Sequence, residues 1–567
     1  MLRFLRQNRP VVTPAGLSII VSLYLLVALN NTFWVRGASV FASHEVKLTL
    51  LAAALLLAHI AGMLLFSAKY LFKPVLVFAI FVAAAAAYFV DGFGVIVNHQ
   101  MIRNAVATDM NEARHLLTSA FWVHMLLYAL LPIFAVLAVS VKRDPPRQQI
   151  ARTGGNIVTC LLVGLAIIYV NFPSYSSVFR DRQDFMGVVN PGAPIAGAVR
   201  YVRKAMRETN VVAKPFGTDA KPGPVLSGAS KPLFVVMVVG ETARAQNFGL
   251  NGYARNTTPQ LEQRDVINFT DTSSCGTATA VSLPCMFSHF PRTKFNNRKA
   301  KGWENLLDIA QRAGFQVEWW DNNTGHKGVA KRVSNRKFSV GTNPDFCREG
   351  ECDDGILTDA LRSYIAKADS DTLLVLHQVG SHGPAYFLRY PPAMEVFSPA
   401  CRTAQFADCS QAEIIAAYDN TILYTDKNVA DIIDLANEYS GKLASAVIYV
   451  SDHGESLGET GLYLHGAPYF IAPEEQTKVP FMVWFSDEFT NQMGLNRNCV
   501  RAKQDDPVTH DNLFHSMLGL LDIETKIHDS ELDLFGSCIA PEVPQARVPY
   551  AALSGDLDNS SKLNLLP

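Results

Sequence analysis

Three apolar runs in the second half of the sequence each lead straight into groups that can bind a metal or move a proton. Residues 233–239 (LFVVMVV) run into Gly240-Glu241-Thr242. Residues 372–376 (TLLVL) run into His377-Gln378-Val379-Gly380-Ser381-His382-Gly383, and residues 446–450 (AVIYV) into Ser451-Asp452-His453-Gly454-Glu455. Ligands of open α/β sheets bind beyond the carboxyl ends of the strands, so three such ends make one constellation. A helix cap or turn would account for any one acidic residue after a strand. It accounts poorly for all three. Neighbouring residues of a strand point to opposite faces. Asp452 and His453 can therefore share an ion only if the strand has already broken into a turn, which Gly454 permits. Carboxylates with a neutral imidazole suit Zn²⁺, and after it Mn²⁺.

Such a site needs a nucleophile or a water. The segment Ser274-Cys275-Gly276-Thr277-Ala278-Thr279-Ala280-Val281-Ser282 is rich in hydroxyls, and a Cys275–Cys285 bridge would clamp it into a tight loop. A threonine hydroxyl is little ionised at neutral pH. Metal coordination lowers its pKa and also stabilises charge on a phosphoryl group. Plain turn chemistry is the other reading of a Ser/Thr-rich loop.

The scaffold for these groups reads as α/β. β-branched runs alternate with helical stretches such as 303–313 and 411–436, and continuous apolar strands suit a parallel sheet covered on both faces. The first third of the chain is different. Apolar stretches at 15–33, 47–68, 74–97, 119–140 and 156–172 are each about long enough to cross a bilayer. No small-residue cleavage site follows the first, so it does not read as a signal peptide. Arg3, Arg6 and Arg9 precede the first stretch, Lys69 and Lys73 follow the second, and Lys142, Arg143, Arg147 and Arg152 lie between the fourth and fifth. The positive-inside rule then puts the N-terminus in the cytoplasm and everything after about residue 175 outside.

Cysteine usage points the same way. Cys160 lies in the fifth stretch, and the other eight all lie in the exported part. An even set there reads as disulfides in an oxidising compartment. Close spacing favours pairing in sequence order for Cys275–Cys285, Cys347–Cys352 and Cys401–Cys409; Cys499 and Cys538, far apart, would pair by the same order, but spacing leaves that bridge open. Zinc-ligand cysteines are the rival, and no CxxC pair supports them. Ile195, Val199, Val202 and Met206 recur at helical spacing among Arg200, Arg203, Lys204 and Arg207. This suits either a basic helix lying on the membrane surface or an ordinary surface helix. With 50 Lys+Arg against 51 Asp+Glu, net charge is −1 over 567 residues, and nothing suggests nucleic acid.

The motifs Gly240-Glu241-Thr242-Ala243-Arg244, Ser274 to Ala280, Gly380-Ser381-His382-Gly383-Pro384 and Ser451 to Glu455 resemble those of the phosphoethanolamine transferases. In particular they resemble the lipid A branch, which includes the mobile colistin-resistance enzymes. The likeness extends over nearly the whole chain. It implies a five-helix transmembrane bundle followed by an α/β sulfatase/alkaline-phosphatase-like domain, in the inner membrane of a Gram-negative bacterium. The division expected is 1–175 transmembrane, 176–231 linker with the surface helix, and 232–567 periplasmic and catalytic. The resemblance also implies Glu241, Thr279, Asp452 and His453 as zinc ligands, with Thr279 as nucleophile. His382 and His465 would bind substrate or a second zinc. Asn323, Thr324 and Lys327 would line a substrate loop. Asn104, Thr108 and Glu112, spaced i, i+4, i+8 and so on one helix face, would meet the headgroup of the phospholipid donor.

The expected reaction moves phosphoethanolamine from phosphatidylethanolamine to a lipid A phosphate through a phosphoethanolamine-threonine, in a monomer surrounded by membrane lipids. A core sugar or periplasmic glucan could equally be the acceptor. Other readings are a phosphoglycerol transferase, a membrane-anchored sulfatase or phosphatase-type hydrolase, and a non-catalytic sensor or scaffold. The complete set of ligand types weighs against the last.

Overall fold

The computed structural model describes residues 9–42, 44–107, 110–181, 185–208 and 211–540. The first third is helical: α1 (Pro14–Ala28), α2 (Asn31–Val40), α3 (Glu45–Leu65), α4 (Phe72–Phe93), α5 (His99–Ala107), α6 (Met110–Leu116), α7 (Ser119–Ala138) and α8 (Pro146–Val170). Four of these, α3, α4, α7 and α8, are long and apolar enough to span a membrane, and the bent pair α1–α2 makes a fifth candidate.

The first expected span is therefore not a straight helix. It turns by 65° between α1 and α2. The Asn30 amide there donates to the carbonyls of Leu25 (2.9 Å) and Asn190 (3.0 Å), and its oxygen accepts from the Asn190 amide nitrogen at 2.7 Å. A buried asparagine pair thus satisfies the backbone groups exposed at the break. Helix α8 begins ten residues before its apolar stretch, because hydropathy marks the part facing lipid rather than the helix end. At one end of the bundle Val11–Val12 pairs with Ser140–Val141, and Lys73 donates to the carbonyls of Leu137 and Val139. Arg143 donates to the Ser67 carbonyl there as well, so the basic loops after the second and fourth apolar stretches meet.

The opposite end meets the C-terminal domain. Gly94 ends α4 at φ +70, and a Cβ on it would stand 2.4 Å from the Gly461 carbonyl oxygen, so only glycine fits. Nearby, the Tyr88 and Thr118 hydroxyls donate to Gln405 Oε1 at 2.6 and 3.0 Å. The basic segment forms helix α9 (Gly192–Glu208), which packs on α5, while Val199, Val202 and Met206 remain exposed. Within the expected linker, Lys214 bridges to Trp303, and Lys221–Pro222 pairs with Ile523–Glu524.

The C-terminal domain is built on one sheet of seven strands: β1 (Leu233–Gly240), β2 (Ile267–Phe269), β3 (Gln316–Asp321), β4 (Ser334–Lys337), β5 (Thr372–His377), β6 (Ala444–Ser451) and β7 (Phe481–Phe485). Their order is β2-β7-β6-β1-β5-β3-β4. The run β6-β1-β5-β3-β4 is parallel, as the continuous apolar strands imply. β7 runs antiparallel to β6, so the sheet is mixed rather than wholly parallel. Leu233, Val235, Met237 and Val239 enter the core on one face of the sheet, and Phe234, Val236 and Val238 that on the other. Register then sets the site. His377 lies opposite both Val239 and Asp321, and Ser451 lies opposite Gly240, so four parallel strands, β6, β1, β5 and β3, end nearly level.

Of two short helices that pack on each other, α10 (Thr279–Met286) and α11 (Asn297–Lys301), the first starts at these strand ends, where Thr279 meets Glu241. A long helix, α12 (Gln411–Glu438), crosses the sheet behind it. Ser410 and Glu413 form a reciprocal cap at the start of α12, a device worth about 1 kcal/mol. All four disulfides join cysteines in sequence order.

Candidate active site

Glu241, Asp452 and His453 leave the ends of β1 and β6 fully buried, with one ligand atom from each within 4.8 Å of the others. Strand β6 stops at Ser451, so the turn that lets Asp452 and His453 face one point is present. Gly454 matters there for a closer reason than turn freedom: a Cβ on it would lie 2.0 Å from the Glu475 carbonyl oxygen. Gly380, at φ +52, presses likewise on the Glu241 backbone.

Thr279 is the first residue of α10, so the hydroxyl-rich segment is partly a helix rather than a loop throughout. The Cys275–Cys285 bridge ties its approach to its last turn. Thr279 Oγ1 donates to Glu241 Oε1 at 2.8 Å and lies 3.3 Å from His453 Nε2. Thr277, the other threonine of the motif, donates instead to the Ala467 carbonyl at 2.6 Å.

The charges in this pocket conflict. Burial pushes the Glu241 carboxyl up, but the His377 and His453 imidazoles outweigh it and hold Glu241 well below the usual carboxylate range. Asp452 is pushed up to about 7, first by burial and then by the Glu241 charge. Burial lowers His453, yet Asp452 and Glu241 raise it to about 9. Asp452 Oδ1 accepts from the backbone of His453 and Thr242, whereas Oδ2, although buried, has no hydrogen-bond partner among the described residues. The Nδ1–H of His453 donates to the Gly454 carbonyl at 2.9 Å, which leaves Nε2 facing the carboxylates. Two buried carboxylates, an orphaned oxygen and a pre-oriented imidazole fit a divalent cation.

Around this centre stand His465 and His382. Their ring centroids are 5.2 Å apart, and His465 is 4.5 Å from His453. His465 Nδ1 pairs with Glu455 Oε2 at 2.8 Å, and His382 Nδ1 with the Gly383 carbonyl at 2.9 Å. The Asn323 amide is turned inward, donating to Glu241 Oε2 (2.7 Å) and the Gln378 carbonyl (2.8 Å). Thr324 and His382 line a cavity of about 180 Å³, and the Lys327 ammonium bonds the Thr324 hydroxyl at 2.6 Å.

Asn104 on α5 is brought against Gly466, next to His465. Thr108 lies outside the described residues. So does the Glu112 side chain, although its backbone belongs to α6.

His377 stands among the strand-end groups of the sequence but is given no role there, and Asp321 is not singled out. Both are buried at the ends of β5 and β3, 3.0 Å apart, and His377 Nε2 is 3.7 Å from Glu241. Burial lowers the His377 imidazole, but Asp321 and Glu241 raise it to about 9. Their signal was a histidine and an aspartate ending two apolar strands, which means little until the strands are known to be neighbours.

Two family models match the chain: the phosphoethanolamine transferase EptA/EptB model over residues 55–206 and the sulfatase model over 234–523. Phosphoethanolamine transferase EptA of Escherichia coli K12 is 34% identical over 538 residues, covering 94% of this chain and 98% of that protein. Phosphatidylethanolamine transferase Mcr-1 of Escherichia coli is 35% identical over 533 residues, covering 90% of this chain and 95% of its own. The solved structure of the integral membrane lipooligosaccharide phosphoethanolamine transferase A of Neisseria meningitidis superposes with a TM-score of 0.90. It is 34% identical, covering 94% of this chain and all of that one. Two relatives at 34–35% identity and a superposition over 94% of the chain show the family as well as the fold, and the chain belongs to the phosphoethanolamine transferase family.

Proposed function

We propose that this inner-membrane protein uses its periplasmic domain to move phosphoethanolamine from phosphatidylethanolamine to a phosphate of lipid A. Thr279 is the nucleophile of two successive displacements. In the first, Thr279 Oγ1 bonds to phosphorus, the phosphorus–glycerol oxygen bond breaks, and diacylglycerol leaves with a proton. In the second, an acceptor phosphate oxygen bonds to the phosphorus of the phosphoethanolamine-threonine, the phosphorus–Thr279 oxygen bond breaks, a diphosphate forms, and Thr279 takes the proton that the acceptor phosphate gives up.

The observation carrying this reading is the Thr279 hydroxyl set between Glu241 and His453, while Thr277 is turned away. Glu241 Oε1 receives the Thr279 hydroxyl hydrogen bond, and Asn323 holds the other carboxylate oxygen in place. Glu241, Asp452, His453 and Thr279 would hold one Zn²⁺, which when bound lowers the hydroxyl pKa and offsets charge on the phosphoryl oxygens. Thr279 opens α10, so its first backbone amides would add donors for the same oxygens. His465, oriented by Glu455, and His382 bind phosphoryl oxygens and carry the proton to and from the departing oxygen. Asn104 places the donor headgroup beside His465, with Thr108 and Glu112 further along the segment. Thr324 and Lys327 serve the phosphate side. The acceptor follows the lipooligosaccharide named for the meningococcal relative.

Incubating the purified chain with phosphatidylethanolamine and mapping modified peptides by mass spectrometry tests this reading. Phosphoethanolamine on Thr279 is expected, with diacylglycerol released in equal amount. Diacylglycerol release without a modified residue would mean direct attack by water or acceptor and would end the two-step reading.

A further inference from the structure

Helix α5 divides two cavities. One, of about 510 Å³, is lined by Met101 together with Arg36, His465 and Gly466. The other, of about 390 Å³, lies on a different face of the helix. It is lined by Arg103 of α5, Lys204, Arg207 and Glu208 of α9, Val281 of α10 and Arg298 of α11. We infer that this second cavity is a binding site for a phosphate of the acceptor glycolipid. The inference rests on the transferase reading and adds where the acceptor is held.

Its charge is the first argument. Glu208 is committed to Arg103, through bonds of 2.7 and 3.2 Å, and also takes Lys301 at 3.1 Å. Lys204 donates to His99 Nε2 at 2.7 Å, a neutral partner. Among the described residues Arg207 and Arg298 have no carboxylate partner, so three cations line the cavity uncompensated. Burial, then Arg103, pull the Lys204 ammonium below its ordinary value, as expected where like charges crowd. An anion relieves that crowding. Phosphatidylethanolamine would not, because its ammonium cancels its phosphate. A phosphate monoester carries close to two negative charges at neutral pH and suits the guanidinium fork.

Position is the second argument. The helix that supplies Lys204 and Arg207 also exposes Val199, Val202 and Met206, so an apolar face for acyl chains adjoins the cations. On the other wall, the Asn297 amide donates to the Ala280 carbonyl at 2.7 Å, one residue from Thr279. The cavity thus opens between membrane surface and nucleophile helix, on the side of α5 away from His465.

The test compares the full-length chain with the double variant Arg207→Gln/Arg298→Gln in phosphatidylethanolamine vesicles containing a phosphorylated glycolipid acceptor. Diacylglycerol release in a single turnover without acceptor should stay within about twofold, while the acceptor KM rises about tenfold with little change in kcat. The KM shift should be the same with or without phosphatidylglycerol in the vesicles. Equal loss in the acceptor-free step would assign the cavity to the donor and overturn the inference. So would an unchanged KM, or a shift that disappears when phosphatidylglycerol is omitted, which would make the cavity a sensor of anionic surface alone. If the wild-type chain released no diacylglycerol at all, the transferase reading would fall and take this inference with it.

Discussion

Thr279 Oγ1 donates a 2.8 Å hydrogen bond to Glu241 Oε1, joining the first residue of a helix to the residue that follows strand β1, 38 positions earlier. The contact places the hydroxyl beside the candidate metal ligands and leaves no other hydroxyl of the motif in that position.

Thr279→Ala should therefore abolish transfer while the chain still inserts and folds, because it removes one oxygen and adds no bulk. Thr279→Ser keeps the attacking atom and should retain part of the rate. Mass spectrometry of the acceptor lipid reads both. Near-normal product from the alanine variant would move the nucleophile elsewhere, and Thr277 would have to break its bond to Ala467 to replace it.

Metal content is the second measurable consequence. Chelation should silence the enzyme and Zn²⁺ should restore it. Asp452→Asn and His453→Ala should each lower the metal bound per chain, since they alter the orphaned oxygen and the imidazole facing it. Elemental analysis of purified variants decides this independently of rate, and full occupancy in both would remove them from the metal.

Asn323 offers a sharper test of how the centre is held. Its amide supplies two bonds behind Glu241, so Asn323→Ala leaves two buried acceptors unpaired at a cost of about 1–3 kcal/mol each. Loss of such support should weaken metal binding roughly 10–100-fold. A metal titration at constant helicity checks it. Lost transfer with unchanged metal affinity would give Asn323 a contact with substrate instead.

How much of this could be read from residues alone depends on how local each signal was. Glu241, Asp452 and His453 announced themselves because each follows an apolar strand directly, and the helices announced themselves by length. His377 follows a strand as directly, but its role did not show, since its pairing with Asp321 depends on β5 lying beside β3. The 65° bend at Asn30 was also hidden. Its cause is Asn190, 160 residues away, and no window of hydropathy contains both. The antiparallel placement of β7 is a matter of connection rather than composition. The basic cavity has the same character: its cations come from three helices spread over nearly 200 positions.

A pH effect should appear at the join between the two parts of the chain. Glu351 accepts from Arg389, with His115 of α6 at 3.6 Å. Burial pushes its carboxyl up, but Arg389 and then His115 outweigh this and bring it down to about 2, against an ordinary 4.5. A folded value below the unfolded one stabilises fully above about pH 4.5 and is lost as pH falls towards 2. The full effect is roughly 3 kcal/mol. Thermal melts of wild type and Glu351→Gln should thus differ at pH 7 and converge as pH drops below 4. A constant gap would show that the ion pair contributes nothing to stability.

Polymyxin-type peptides are cationic, and their attraction to lipid A phosphates strengthens with each uncompensated negative charge. Placing an ethanolamine ammonium beside such a phosphate lowers the local negative charge, and a loss of about 1.4 kcal/mol per site is already tenfold in affinity. Expression of this chain in a Gram-negative host should therefore raise the colistin concentration needed to kill it, and Thr279→Ala should not. The two readouts separate chemistry from acceptor. If colistin susceptibility and the lipid A mass spectrum both stay unchanged while diacylglycerol is still released from phosphatidylethanolamine, the transferase chemistry stands, and a core sugar or periplasmic glucan takes the place of lipid A as acceptor.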